Sequence, residues 1–594
     1  MVDRRGGGAA NLALLLAACV SAGCTKPQPD PEPSSVALVD PLPSVPLNPM
    51  MQAETAVAVV PPGANNACGA GAAVVTWAQD KAQRAMSVGL DCRGTTGCAF
   101  HGTSSDDSKL PAPTELVYLS EHPDADALCP VPGQPEHFVK CCEHDQTKPR
   151  PMYSFEGAAD TVIVRLPNGD VGQLGVMERW KHRDFPDALG VCDATAERNG
   201  NALVFRISHD CGHTWDVLGE INSTDVSAPG SGLDFGGAAG GFDRPEMYYD
   251  PWSGTIWAAA SATGVTADGK PYAVQVLFSS TDLGTTWVQA SSLISGYTAH
   301  VMTSTPQGRL YVFQCTPSGQ PQVFWTDDGG ATLQNAMVSV ASVDECALLG
   351  STDQGKDPIR GNLRNLVTGP SVSLVQSSPL ADILRGAYEH AELVTLPNGK
   401  LTDRQDLVVA TFQVVKQGPA AGQVRLFATH RLSAANLRDS LLYPSFMNPD
   451  LLGGVGENDP LSDTSLLTWL ETYQWMGTVT MRQRAAAVTG INAWSDPFDL
   501  AVRGSKLALW TPRMLCGDAY TGDPPEPSLD RAGNQKTGCW SGDYHHGAFV
   551  DKQGDALRFL PVWPQSDLSA CAPTCPAPNL EVHANLVTVR EVAQ

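Results

Sequence analysis

Among thirteen histidines, His300, His390, His545 and His546, with Asp543 beside the last two, have the side chains best suited to hold a metal ion. Imidazole is a good ligand for zinc and copper. Their spacing, however, gives no ligand triad. A second group lies upstream, where Cys68, Cys92, Cys98, Cys129, Cys141 and Cys142 precede His144. No C-x2-C pair there is matched by a second pair, the spacing that a cysteine zinc site uses. The expectation is no metal and no cofactor. Any chemistry depends on polar side chains that the fold must bring together from distant places.

The stretch that organises the fold is FRISHDCGHTW, residues 205–215. Ser208, Asp210, Gly212 and Trp215 spell S-x-D-x-G-x-x-W. Asp210 can cap a turn by accepting backbone N–H bonds, and Gly212 allows a positive φ. Trp215 then re-enters the next strand and packs beneath the turn. The unit recurs as Ser280, Asp282, Gly284 and Trp287, and in a worn copy as Thr326, Asp328, Gly330 and Leu333. Repeated strand–turn–strand units indicate a repeat architecture. Alternating segments joined at Asn168-Gly169 also read as a hairpin.

At these residues the chain resembles the Asp-box, or bacterial neuraminidase repeat, family of sialidase-like β-propellers. The resemblance implies an all-β fold, a sialidase-like propeller of about six blades over residues 155–594. Asp boxes lie on outer hairpins, so Ser208, Asp210, Gly212, Trp215, Ser280, Asp282, Gly284, Trp287, Asp328 and Gly330 are structural. Family members have an R-I-P strand start, an LPDG turn, an E-x-R end and then the Asp box. The LPNG turn and Glu178-Arg179 are present, whereas the R-I-P is absent.

The family's arginine stands ten positions before the turn glycine, near the central channel where its ligand binds. That ruler gives Ala159 and Asp160 before Gly169, Arg244 and Glu246 before Gly254, and His300 before Gly308. It gives Glu389 and His390 before Gly399, and Tyr544 and His545 before Gly554. Polar groups converging on a channel mouth are a site candidate. The ligand-binding set is therefore Arg244, Glu246, His300, His390, Asp543 and His545. A sialidase needs clustered arginines for the substrate carboxylate, a tyrosine nucleophile activated by Glu and an Asp general acid. By resemblance Tyr544 is the nucleophile, with Glu389 or Glu246 as partner, and Asp184 or Asp187 is the acid. Arg244 is the one arginine the ruler places, which favours binding over catalysis.

Gross composition is consistent with an exported protein. The net charge of -24 argues against nucleic acid and against a polybasic membrane surface. Arg4 and Arg5 precede a short apolar run, Asn11 to Ala18, that resembles a bacterial lipoprotein signal. Cys19 and Cys24 are the alternatives for lipidation. Residues 1–24 read as signal, 25–61 as a Pro-rich disordered tether, 62–154 as a cysteine-rich segment, and 155–594 as the propeller. An even set of fourteen cysteines from Cys68 onward reads as disulfides in an exported chain. Proximity suggests Cys192 with Cys211, Cys315 with Cys346, Cys516 with Cys539, and Cys571 with Cys575. Short helices are expected at 78–90, and helical turns in SPLADILRG and LSAANLRDSLL. The functional expectation is a lipid-anchored protein of the cell envelope, periplasmic or at the cell surface. It binds a glycan or another extracellular ligand at the channel. The alternatives are a glycoside hydrolase of exo-sialidase type and a scaffold for an envelope partner.

Overall fold

The fold is seen in a computed structural model. It describes residues 32–37, 52–63, 71–79, 82–91, 99–100, 116–118, 128–131, 134–140, 157–180, 198–223, 226, 233–234, 241–266, 271–290, 294–295, 302–316, 318–346, 370–395, 401–433, 445–453, 463–475, 478–500, 502–503, 506–507, 528–529, 535–536, 545–553, 556–566 and 580–590.

Among the described residues the structure is all-β, with seven sheets of four to six strands and three two-stranded ribbons. We number the seven sheets by their first long strand. Sheet 1 starts at Gln52–Val60, sheet 2 at Gly157–Arg165, sheet 3 at Gly241–Asp250 and sheet 4 at Met302–Ser304. Sheet 5 starts at Ser371–Ser377, sheet 6 at Ser445–Gly453 and sheet 7 at Ala548–Gln553. Each is an antiparallel meander on its long strands, except that sheet 7 ends on Glu32–Ala37, paired with Leu580–Arg590.

The cores lie between sheets. Sheets 1 and 2 share Ala58, Val74 and Ile163, and sheets 2 and 3 share Phe205, Phe242 and Phe278. Trp257 with Val312 joins sheets 3 and 4, and Phe313 with Phe412 joins 4 and 5. Leu407 with Trp469 joins 5 and 6, and Leu466 with Phe559 joins 6 and 7. Val57, Val75 and Trp77 then pack on Val550 and Leu560, joining sheet 7 back to sheet 1. Each sheet is thus apolar on both faces, which is why strands such as Leu310–Cys315 are buried along their whole length. The seven first strands touch in the same cyclic order.

The three S/T-x-D-x-G turns lock neighbours together. Ser208 Oγ accepts the Gly212 N–H at 2.7 Å, and Asp210 Oδ1 accepts the Thr214 N–H at 2.8 Å. The same bonds form at Ser280–Gly284, Asp282–Thr286, Thr326–Gly330 and Asp328–Thr332. The turn glycine meets the preceding sheet. A Cβ on Gly284 (φ +88) would lie 2.2 Å from Phe205, and one on Gly212 would lie 2.7 Å from Val74.

Several expectations change. The helix expected at 78–90 is instead the strand Ala82–Asp91, paired with Ala72–Gln79. The apolar ladder of AAVVTWAQ offers it a partner, and tertiary pairing overrides helix propensity. SPLADILRG forms a turn and enters the strand Ala381–Thr395, while LSAANLRDSLL lies outside the described residues. The 25–61 tether contains the strands Glu32–Ala37 and Gln52–Val60. The valines of AVAVV bury on two neighbours, an apolar run that the Pro-rich flank concealed. Residues after 155 begin six of the seven sheets, and the seventh comes from the segment read as tether and cysteine-rich region. Cys315–Cys346 is a disulfide. Cys211 is also disulfide-bonded; Cys192, its expected partner, lies outside the described residues, as do Cys516, Cys539, Cys571 and Cys575.

Candidate functional site

The first strands of all seven sheets surround a central cavity of about 600 Å³. Two of them deliver carboxyls to it by the same device. Asp243-Arg244-Pro245-Glu246-Met247 and Met447-Asn448-Pro449-Asp450-Leu451 each slip register by a β-bulge, between Asp243 and Glu246 and between Met447 and Asp450. Such bulges re-aim a side chain. Arg244 has φ 49° and Asn448 φ 54°. Positive φ is uncommon outside glycine, and a following proline favours extended backbone instead. Both residues are therefore strained, as is common around functional sites.

Neighbouring acids hold these bulges. The Arg244 N–H donates to Asp160 Oδ2 at 2.8 Å, and the Asn448 N–H donates to Glu389 Oε1 at 2.9 Å. The strain is thereby offset by buried, charge-assisted bonds between adjacent sheets.

Glu246 and Asp450 converge on His546. Its Nε2 lies 3.0 Å from Glu246 Oε1, and its Nδ1 lies 3.9 Å from Asp450 Oδ1. Asp450 Oδ2 also accepts the Gly547 N–H at 2.7 Å. The three side chains come from sheet 3, sheet 6 and the chain leading into sheet 7. Burial opposes a charge on His546, but the Glu246 carboxylate and then Asp450 outweigh it and push the imidazole up to about 10. Burial raises the Glu246 carboxyl, against the pull of His546. The cluster can therefore hold a proton across the neutral range and accept hydrogen bonds through two carboxyls. Two residues on, Tyr248 lines the same cavity, its hydroxyl 3.0 Å from Ser304 Oγ. Burial pushes that phenol up to about 12, so it remains a neutral hydroxyl.

Of the residues singled out from sequence, Glu246 lines the cavity, and Arg244 forms its bulge without lining it. Glu389 and His390 lie on Ala381–Thr395, the second strand of sheet 5, and neither lines the cavity. The ruler misplaces them because the turn before Gly399 joins the second and third strands of that sheet. His390 Nδ1 instead lies 2.5 Å from the Glu345 carbonyl oxygen. His545 sits on a two-residue strand beside Thr55, and nothing of its side chain is described. Tyr544, Asp543, His300, Asp184, Asp187, Cys19 and Cys24 lie outside the described residues. Among the described residues no group of three or more His, Cys, Asp or Glu side chains has metal-holding geometry. Asp450 was missed. Its signal is the recurrence of Arg-Pro-Glu as Asn-Pro-Asp, a repeat the turn ruler does not detect.

No family model and no curated protein matches the chain. Solved structures resemble it at low identity, sialidases and glycan-binding proteins among them. A protein of unknown function from Dyadobacter fermentans is 13% identical over 95% of this chain and 100% of its own, with a TM-score of 0.36. A Trypanosoma rangeli sialidase in complex with sialic acid is 11% identical over 76% of this chain and 58% of its own, with a TM-score of 0.34. A mutant Aleuria aurantia lectin in complex with alpha-methyl-L-fucoside is 10% identical over 77% of this chain and 100% of its own, with a TM-score of 0.31. These superpositions are loose, and the site stands on its own geometry.

Proposed function

We propose that the chain is a β-propeller that binds a glycan, or another hydroxyl-rich extracellular ligand, in its central cavity. The observation that supports this is the convergence of Glu246, His546 and Asp450 in a cavity bounded by every sheet. A concave site with a few converging polar groups is where ligands bind. Carboxyls there accept sugar hydroxyls, and Tyr248 adds a neutral hydroxyl.

The exo-sialidase reading is the weaker one. It requires clustered arginines for a carboxylate, and among the described residues Arg165 is the arginine lining the cavity. Tyr544 keeps it testable. We further propose that residues 1–24 are a lipoprotein signal and that the protein is anchored in the cell envelope. A lipid on Cys24 would stand eight residues before Glu32–Ala37. At ~3.5 Å per residue that is a reach of about 28 Å, a short leash rather than a long stalk.

The test is a glycan array probed with the full chain, beside fluorogenic glycosides that include sialosides. Binding that is lost in Glu246→Gln supports the cavity reading. Sialoside turnover that is lost in Tyr544→Phe would replace it with the hydrolase. Neither binding nor turnover would leave the scaffold for a protein partner.

A further inference from the structure

The segment His545–Gly547 is unlike the rest of the fold. His545 and His546 pair with Thr55 and Ala56 in the one parallel pairing among the described strands. They add to the inner edge of sheet 1, the edge that otherwise faces the centre. From there His546 reaches Glu246 of sheet 3 and Asp450 of sheet 6. Sheet 3 lies across the ring from the entrance to sheet 7, so this contact spans the cavity. Gly547 allows the close passage, since a Cβ there would lie 2.7 Å from Leu452 and 2.9 Å from the Leu560 carbonyl oxygen.

We propose that His545–Gly547 is a strap closing one end of the central cavity, and that its release exposes Glu246 and Asp450 to the ligand. This rests on the reading of the cavity as the ligand site. Among the described residues the strap's fastenings include a two-residue ladder, the Gly547 N–H bond to Asp450 and the ion pair of the His546 imidazole with Glu246. The sheet ladders around it are far longer. Ala381–Thr395 alone pairs with Leu401–Val415 from end to end. Few backbone bonds and a side-chain fastening are the features of segments that open locally while the fold persists. The strap also stands at acceptors that a hydroxyl-rich ligand would need, His546 Nε2 3.0 Å from Glu246 Oε1 and the Gly547 N–H donating to Asp450 Oδ2 at 2.7 Å. A ligand offering donors to Glu246 and Asp450 competes with the strap for the same two carboxyls, so binding and opening are one event.

Hydrogen exchange on the full chain tests this without any ligand. Wild type is compared with Asp450→Asn and His546→Gln, and the Leu466–Ala487 ladder of sheet 6 serves as an internal control of folding. We expect exchange at 545–547 and at Thr55–Ala56 to rise more than a hundredfold in His546→Gln, equivalent to about 3 kcal/mol of lost fastening, and about tenfold in Asp450→Asn, with the control still protected. Unchanged protection of the strap, or a rise spread evenly over all sheets, would overturn the proposal. As a second measurement, Ala56→Cys places a thiol beside the strap, at a position 1% exposed in the wild type. A small methanethiosulfonate should modify it about tenfold faster when Asp450→Asn is added, and equal rates would refute the strap. Both readouts stand whether or not a glycan binds, so failure of the strap is distinct from failure of the binding reading.

Discussion

Replacing His546 by glutamine should cost the protein several kcal/mol at neutral pH and almost nothing at high pH. His546 titrates near 6.5 when unfolded and is pushed up to about 10 in the fold. At ~1.4 kcal/mol per unit, that shift alone corresponds to about 5 kcal/mol. Burial of Glu246, which raises its own carboxyl, takes part of this back. The net should fall in the range of about 3–5 kcal/mol seen when one partner of a buried pair is removed. The sign follows from the raised pKa. The contribution is complete below about pH 6.5 and is lost as pH rises towards about 10. Urea unfolding of wild type and His546→Gln, followed by tryptophan fluorescence at a series of pH values, measures the difference directly. The gap should be widest near pH 6 and close by about pH 10. A gap of constant size across that range would show that His546 acts by packing rather than charge, and the electrostatic account of the cluster would fail.

Other substitutions probe how the sheets are locked. Gly175→Ala should destabilise by about 2–4 kcal/mol in the same unfolding assay. Its Cβ would lie 2.1 Å from Gln83 Nε2, which donates at 3.1 Å to the carbonyls of Asp160 and Val176. Gly284→Ala should cost about 2–3 kcal/mol through overpacking against Phe205 and a positive φ. Gly254→Ala has the positive φ without a contact, and should cost only about 1 kcal/mol. Deleting residues 25–40 removes the outer strand of sheet 7, so amide exchange in Leu580–Arg590 should accelerate while sheet 4 is unaffected.

Local chemistry was legible in the sequence wherever it was complete within a few residues. The turns at Asp210, Asp282 and Asp328 close through bonds spanning four residues, and their spacing can be read directly. The Cys315–Cys346 disulfide was legible because proximity in the chain is proximity in the fold. Strands without turn signals were not. AVAVV in 52–60 has no glycine turn before it, and its burial depends on Trp77 and Leu560, which are distant in the chain. Equally, an NG turn marks a hairpin but does not say which strand of the sheet it joins. That ambiguity put Glu389 at the channel when it lies one strand outward.

The misplaced residues nevertheless explain the site. Asp160 and Glu389, both read as channel groups, hold the amides of Arg244 and Asn448. Those two residues carry positive φ and precede proline, a conformation that costs of order 1–3 kcal/mol each. A chain keeps such strain only where the surroundings over-determine it, and here an acid on the preceding sheet captures each strained amide. Glu246 and Asp450, two residues further on, then meet at His546 from opposite sides of the ring. The acids therefore fall into two tiers. Asp160 and Glu389 fix backbone, and Glu246 and Asp450 face the cavity. Asp160→Asn should on this argument weaken ligand binding without touching the ligand, because a loosened Arg244 bulge no longer aims Glu246. Glu246→Gln should abolish binding with the bulge intact. Comparing the two affinities on one array ligand, with exchange at Arg244 as the structural readout, separates the tiers. Equal loss of bulge protection in both variants would collapse them into one.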